Sequence, residues 1–98
     1  MTNKIEYYVV TSNNSDLSQI RTEIIKAFNG LTIIPNTLGY WVNSKNEIVK
    51  DSGEIWQILT DYNLKDLALI AKNYALELKE TCHQETQLYT INNQSVFV

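Results

Sequence analysis

The sequence has little cysteine, histidine and proline, with one residue of each type among its 98 residues. A single cysteine cannot form an internal disulfide, and Cys82 with the adjacent His83 cannot complete a zinc shell without further thiol or imidazole ligands. Neighbouring residues on an extended segment also point to opposite faces, which argues against a Cys–His nucleophile. We therefore expect Cys82 and His83 to be ordinary residues at the end of a helix, and we expect no metal and no cofactor.

Basic charge, long apolar runs and glycine-rich loops are also missing. The net charge of -3 offers no positive field to attract the phosphate backbone of DNA or RNA. No apolar run approaches the roughly 20 residues that span a bilayer, and residues 1–10 lack the basic start and apolar core of a signal peptide. Gly30, Gly39 and Gly53 stand alone, and none opens a helix after a strand as a phosphate-binding loop requires. These absences predict a cytosolic protein without a nucleic-acid polymer or a membrane as partner.

What the sequence does contain predicts one domain of strands and helices. With 44% hydrophobic residues, residues 1–98 can bury one core but not two. Residues 5–11 are rich in β-branched and aromatic side chains and predict a central strand. Apolar residues recur at helical spacing near residues 15–29 and 63–80, and Asn63 is the expected N-cap of the second helix.

The stretch between the two helices, residues 31–60, predicts a β-meander. We expect a bend at residues 35–36, a polar turn near residues 44–46 and a further interruption at residues 51–53. The apolar run that follows is the strongest strand candidate in the chain. Gly53, just before that run, allows a bulge or a close backbone approach.

The order of elements predicts the fold class. Residues 83–91 alternate enough to form a strand, and residues 95–98 could add a short last one. Strand, helix, meander, helix and strand together predict an α+β fold of the ferredoxin-like (split βαβ) type, an antiparallel sheet with two helices on one face. The second helix is apolar over a wide arc, and the free sheet face would carry some of a large set of aromatic rings: Tyr7, Tyr8, Tyr40, Trp41, Trp56 and Tyr89. We therefore expect a homo-oligomer, trimer or dimer, or a ligand pocket on that face.

Acidic side chains lie next to the strands that carry these rings. Asp51 and Glu54 come just before the apolar strand candidate, and Glu85 opens the strand after the second helix. Neighbouring strands would bring these acids close to Tyr40 and Trp41, giving a pocket with aromatic walls and acidic groups for a cationic or adenine-containing ligand. The alternative is that they are ordinary solvated acids beside turns.

Several short segments occur in a distinctive order over most of residues 5–91. They are Tyr8-Val9-Val10-Thr11-Ser12, Gly30-Leu31, Thr37-Leu38-Gly39-Tyr40, an acid before a strand, and Gln84-Glu85-x-x-Leu88-Tyr89 after a helix. This order resembles the small phage-encoded S-adenosylmethionine lyases. It is also similar to an uncharacterised family of small bacterial α+β proteins with a G-x-W-type hairpin and a terminal Q-E strand.

The lyase resemblance implies a ferredoxin-like trimer with active sites between subunits, which cleaves S-adenosylmethionine to methylthioadenosine and homoserine lactone. It implies that Tyr40 corresponds to the pocket tyrosine and Glu85 to the acid after the second helix. Glu54 or Asp51 corresponds to the acid that precedes a strand. These groups would hold the substrate's cationic groups so that its own carboxylate attacks internally. The expected catalytic residues are Tyr40, Glu54 and Glu85, and the expected ligand-binding residues are Tyr8, Thr37, Trp41, Asp51 and Gln84.

Two other functions are compatible with the same residues. The segment between Gly30 and Tyr40 is shorter than in the lyases, so the fold could be kept without the catalysis. A pocket with aromatic walls but no catalytic acid would be a phage counter-defence protein that sequesters a nucleotide-type signal. The chain could also be a structural or interaction module. The expected partner is an adenine-containing small molecule, S-adenosylmethionine or a cyclic nucleotide, and a phage origin would place the protein in the host cytoplasm.

Overall fold

The computed structural model describes residues 2–98 and contains five strands and two helices within that range: β1 Asn3–Val10, α1 Ser18–Phe28, β2 Thr32–Val42, β3 Ile48–Thr60, α2 Leu64–Thr81, β4 Leu88–Ile91 and β5 Gln94–Phe97. The strands form one antiparallel sheet in the order β2-β3-β1-β4-β5. The chain is therefore an α+β protein with β1 at the centre of its sheet. Neither helix of this range is long and apolar enough to cross a membrane.

One set of alternating sheet residues and both helices share a single hydrophobic core. Ile5, Tyr7 and Val9 of β1 are fully or almost fully buried in it. The other buried members come from the neighbouring elements: Leu17, Ile20, Ile24, Phe28, Trp56, Ile58, Leu67, Ala71, Ala75, Leu78, Cys82 and Tyr89. Because fully burying one large apolar side chain contributes about 1.5–3 kcal/mol, this cluster is the main source of stability.

The Tyr7 hydroxyl joins the sheet to α2. It is buried and donates a hydrogen bond of 2.9 Å to the carbonyl oxygen of Ala71. Burial raises the pKa of Tyr7 far above its ordinary value, and the neighbouring Tyr89 and Tyr74 raise it further. The hydroxyl therefore stays protonated even in alkaline solution that would ionise an exposed tyrosine, and it keeps donating this hydrogen bond.

The two helices end where local signals predict, but the first begins later than predicted. Asn63 caps α2, because its side chain accepts a hydrogen bond of 2.9 Å from the Asp66 backbone N–H. α1 begins only at Ser18, whose N–H and hydroxyl donate to the Asp16 carboxylate at 3.0 and 2.7 Å. These two hydrogen bonds also lower the pKa of Asp16. At the other end, Asn29 adopts a left-handed conformation with φ of 62° and stops α1.

Two of the three predicted interruptions of the meander, at residues 35–36 and 51–53, are wrong, whereas the polar turn predicted near residues 44–46 is confirmed between β2 and β3. β2 continues through the predicted bend, with a register shift between Ile34 and Thr37 that marks a β-bulge. β3 continues through Gly53, because Gly53 pairs with Val10 on one side and with Thr37 on the other. Pairing on both sides outweighs the local preference of this segment for a turn.

The predicted strand after α2 starts later than expected. β4 begins at Leu88 instead of residue 83. His83 takes a left-handed φ of 55°, and the Gln84 N–H donates to the carbonyl oxygen of Lys79 at 2.9 Å. The chain therefore completes a C-terminal turn of α2 before it enters the sheet.

Gly53 lies where the backbone of β1 crowds β3. A Cβ atom at this position would overlap the carbonyl oxygen of Val9, whereas a Cβ at Gly39 would find its nearest neighbour, the Asp51 carbonyl oxygen, at 4.0 Å. The close backbone approach predicted for Gly53 is confirmed.

We predict that Gly53→Ala destabilises the protein by about 1–3 kcal/mol, because backbone atoms cannot move aside as a side chain can. Gly39→Ala is the matched control in the neighbouring strand, and we expect it to change stability by less than about 1 kcal/mol. Urea unfolding followed by circular dichroism measures both. Equal midpoints for the two variants would contradict the prediction.

Candidate functional site

An open cavity of about 750 Å³ lies where β1, β2, β3 and the segment after α2 meet. Most of its walls are apolar or aromatic side chains. Seven of the eight residues that the sequence suggests for a site line this cavity: Tyr8, Thr37, Tyr40, Trp41, Asp51, Gln84 and Glu85. The structure therefore brings together residues that lie far apart in the chain.

The cavity depends on a difference in strand length. Pairing between β1 and β3 ends at Val10 and Gly53, whereas pairing between β2 and β3 continues to Val42 and Ile48. Residues 37–52 therefore project beyond β1 as a two-stranded ribbon, called here the β2–β3 ribbon. This ribbon supplies one wall of the cavity, and the segment after α2 supplies another.

Trp41 and Asp51 are joined across the β2–β3 ribbon. The indole Nε1–H donates a hydrogen bond of 2.6 Å to Oδ2 of Asp51. Asp51 pairs with Gly39 and Trp41 pairs with Val49, so the hydrogen bond runs diagonally between the two strands. It places an aromatic ring and a carboxylate side by side in the cavity wall.

Glu54 is not part of the cavity lining, in contrast to the expectation that it belongs to the catalytic set. Its carboxylate instead accepts a hydrogen bond of 2.8 Å from Nε1 of Trp56, whose side chain is buried in the core. Because β3 is continuous, alternate residues point to opposite faces. Asp51 therefore lines the cavity, and Glu54 does not.

Glu85 lies on a segment that is held at both ends. On one side, the Gln84 side-chain amide donates to the Cys82 carbonyl oxygen at 2.8 Å. On the other side, the buried Gln87 donates from Nε2 to the carbonyl oxygens of Tyr8 and Leu88, at 2.8 and 3.0 Å. These bonds fix the segment against β1, while Glu85 itself stays exposed at the cavity.

Sequence patterns did not identify every residue of this region. Gln87 carries no local signal, since its role depends on a carbonyl oxygen 79 positions away. Leu88 and Phe97 also line the cavity, and they pair with each other across β4 and β5. The alternation of Leu88 with buried Tyr89 was the available signal that Leu88, and Phe97 opposite it, lie on the face of Tyr8.

Cys82 and His83 behave as ordinary residues of a helix end. The Cys82 thiol is buried, and burial raises its pKa, which disfavours the reactive thiolate. The Cys82 carbonyl oxygen also accepts a hydrogen bond of 2.8 Å from the Asn13 side chain, which ties the loop after β1 to the end of α2. Within residues 2–98, no group of three or more His, Cys, Asp or Glu side chains is arranged to hold a metal ion.

The charge of the cavity has one sign. Asp51 and Glu85 line it, and among the described residues of its lining none is lysine or arginine. Carboxylates near aromatic rings favour a cationic ligand, because both the charges and the ring faces attract positive groups. The arrangement can therefore bind a flat, apolar molecule that carries positive charge.

Comparison with known proteins supports the fold. Neither a protein-family model nor a curated protein matches this sequence. The structure is similar to that of a phage S-adenosylmethionine lyase in complex with S-methyl-5′-thioadenosine, with a TM-score of 0.78 and 10% sequence identity. The match covers 99% of this chain and 88% of the lyase chain. The resemblance to phage S-adenosylmethionine lyases that the sequence suggests is thus confirmed at the level of fold.

Proposed function

We propose that this protein binds S-adenosylmethionine in the cavity and cleaves it to methylthioadenosine and homoserine lactone, as a carbon–sulfur lyase. The observation that carries the proposal is the composition of the cavity lining, in which the aromatic residues Tyr8, Tyr40 and Trp41 accompany the acidic residues Asp51 and Glu85. The fold shared with a phage lyase, whose structure holds methylthioadenosine, supports an adenosine compound as the ligand.

The sign of the cavity charge favours this substrate over a cyclic nucleotide. S-Adenosylmethionine carries a sulfonium and an ammonium group, whereas a cyclic nucleotide carries a phosphate. Two unit charges 4 Å apart interact by about 1 kcal/mol in water and about 4 kcal/mol near a protein surface. Asp51 and Glu85 would therefore attract S-adenosylmethionine and repel a cyclic nucleotide. No lysine or arginine among the described lining residues offsets their negative charge.

The reaction itself needs no protein nucleophile. The substrate carboxylate attacks its own γ-carbon, a carbon–oxygen bond forms, and the bond from that carbon to sulfur breaks. The electron pair of the broken bond goes to sulfur, so the sulfonium and carboxylate groups become an uncharged thioether group and an uncharged lactone ester group. Because two charges cancel on the way to the transition state, apolar walls around the reacting groups favour the step. Holding the chain of the substrate in a folded conformation adds to this.

Glu85 serves this reaction best by binding the ammonium group. The sulfonium charge disappears during the step, so a carboxylate beside it would stabilise the ground state more than the transition state. The ammonium charge persists into the product, and a contact to it orients the substrate without opposing the chemistry. Glu85 is exposed on an anchored segment and is therefore available for this contact. Tyr8, Tyr40 and Trp41 would pack against the adenosine part, with Thr37 and Gln84 as hydrogen-bonding groups.

We assign the chain to the ferredoxin-like plan, with both helices on one face of the sheet. The strand order β2-β3-β1-β4 and the core shared by Tyr7 of β1 with residues of both helices support it. In that plan β5 is an additional strand at the edge formed by β4. The similarity to a phage protein supports a setting in the cytoplasm of a host cell.

We expect the protein to act as a trimer or dimer. The β2–β3 ribbon leaves large apolar side chains in water, with Tyr40 exposed to 66% and Ile48 to 76%. Leu38 and Val42 on the same ribbon are exposed as well. A second subunit against the ribbon would cover these groups and enclose the cavity wall that carries Tyr40.

Incubation with S-adenosylmethionine tests the function directly, with methylthioadenosine detected by chromatography. We predict product formation by the unaltered protein and a loss of about 100-fold or more for Glu85→Gln, which removes charge and keeps shape. Glu54→Gln is the matched control, because its carboxylate lies off the cavity and Gln can still accept the hydrogen bond from Trp56. Equal activity of the two variants, or no product from the unaltered protein, would refute the proposed role.

Light scattering at micromolar concentration tests the assembly. We predict a mass of two or three chains, and dissociation by Ile48→Lys, because a charge in the ribbon contact is costly to bury. Leu69→Lys on α2 is the matched control, since Leu69 is similarly exposed but lies on the outer surface of the helix. A strict monomer at all concentrations would contradict the prediction, and dissociation by Leu69→Lys alone would move the interface to α2.

A further inference from the structure

The side chains of Trp41 and Asp51 form the shortest polar contact in the cavity wall. The indole Nε1–H is the single hydrogen-bond donor of a tryptophan side chain, and here it is engaged by Oδ2 of Asp51 at 2.6 Å. A hydrogen bond to an ionised carboxylate is roughly twice as strong as one between neutral groups. One oxygen of Asp51 is therefore committed to the ring of Trp41 before any ligand arrives.

Trp41 and Asp51 lie on a part of the β2–β3 ribbon where few other contacts could fix the orientation of the Trp41 ring. β1 ends at the level of Gly53 and does not reach Asp51, so the ribbon has only two strands there. Gly39, which pairs with Asp51, has no side chain that could pack against the indole. An isolated two-stranded ribbon is itself marginally stable, so a specific cross-strand hydrogen bond helps to keep a large side chain in one orientation.

From this geometry we infer that Asp51 is a positioning residue, which acts on the ligand by holding the Trp41 ring as a wall of the cavity. Glu85 is then the carboxylate that meets the charge of the ligand. The inference rests on the proposed function, and it divides two acids that the resemblance to the lyases would treat alike. It also explains why an acid and an aromatic residue occur together in the same wall.

Two ligands distinguish a positioning role of Asp51 from a direct contact between Asp51 and the charge of the ligand. Methylthioadenosine is neutral, so its affinity depends on the aromatic wall alone. Sinefungin, in which an amine replaces the sulfonium group of S-adenosylmethionine, is cationic. Its affinity therefore depends on both the aromatic wall and the acidic side chains. If Asp51 positions the ring, its removal weakens both ligands by the same factor. If Asp51 contacts the cation directly, its removal weakens sinefungin alone.

The experiment is calorimetric titration of the full-length variants with each ligand, after circular dichroism has verified their fold. We predict that Asp51→Ala weakens both ligands by about tenfold, and that Asp51→Asn keeps the affinity for methylthioadenosine within about threefold of that of the unaltered protein, since its amide oxygen still accepts from Nε1–H. Glu85→Gln is expected to weaken sinefungin by about tenfold and to leave methylthioadenosine unchanged. Equal losses for Asp51→Ala and Asp51→Asn with sinefungin, and none with methylthioadenosine, would overturn the inference.

Trp41→Phe provides a second variant if Asp51→Ala does not fold. It keeps an aromatic ring but loses the donor, and we predict that it weakens both ligands as Asp51→Ala does. An unchanged affinity for methylthioadenosine would overturn the inference.

The indole N–H signal of Trp41 in the proton NMR spectrum tests the hydrogen bond without any ligand. The signal should shift in Asp51→Ala and stay close to its original position in Asp51→Asn. If the unaltered protein bound neither ligand while the signal shifted as expected, the proposed function would fail and the contact between the two residues would stand. An unchanged signal in Asp51→Ala would overturn the contact itself.

Discussion

The place where β1 ends against β3 determines the rest of this structure. β1 has 8 residues and β3 has 13, and the two strands are paired only up to Gly53. At that point the β1 backbone comes so close that only glycine fits. Beyond it the β2–β3 ribbon continues alone, and the step between the sheet and the ribbon opens the cavity. The same step exposes the apolar side chains of the ribbon, so that the site and the surface available for assembly have one origin.

The chemistry proposed for the cavity follows from its charge and its walls. Two carboxylates without a lysine or arginine among the described lining residues would bind a cationic ligand, and the aromatic and apolar walls would pack against its adenosine part. Both properties suit a reaction in which a carboxylate and a sulfonium of one molecule neutralise each other. Nothing in such a step calls for a metal, a nucleophilic side chain or a reactive thiol. In the proposed reaction, the protein would fold the substrate and keep its ammonium group in place.

Local signals in the sequence predicted much of the fold and part of the site. Asn63 and Asn29 act at short range, so the helix ends they set could be predicted from neighbouring residues. The choice between Asp51 and Glu54 could not, because it depends on whether β3 is continuous. The turn-like residues before Gly53 hid that continuity, and only pairing on both sides of β3 reveals that alternation places Asp51 at the cavity.

Local sequence patterns also could not predict the conformation of the segment after α2. Glu85 was expected to begin a strand, but it lies before β4 on a segment held by the hydrogen bond from Gln87 to the Tyr8 carbonyl oxygen. That contact joins residues far apart in the chain, so no local pattern could predict it. The residue types of the site were visible in the sequence, whereas their arrangement depended on long-range pairing.

In the proposed function, the cavity selects an adenosine ligand by the positive charge of that ligand. Competing sinefungin against 3′,5′-cyclic AMP on the unaltered protein tests this most directly, because the two ligands share adenosine and carry opposite charges. We predict that sinefungin binds at least about tenfold more tightly than cyclic AMP, and that the difference in affinity shrinks as salt is added. Tighter binding of cyclic AMP, or equal binding of the two at low salt, would contradict it.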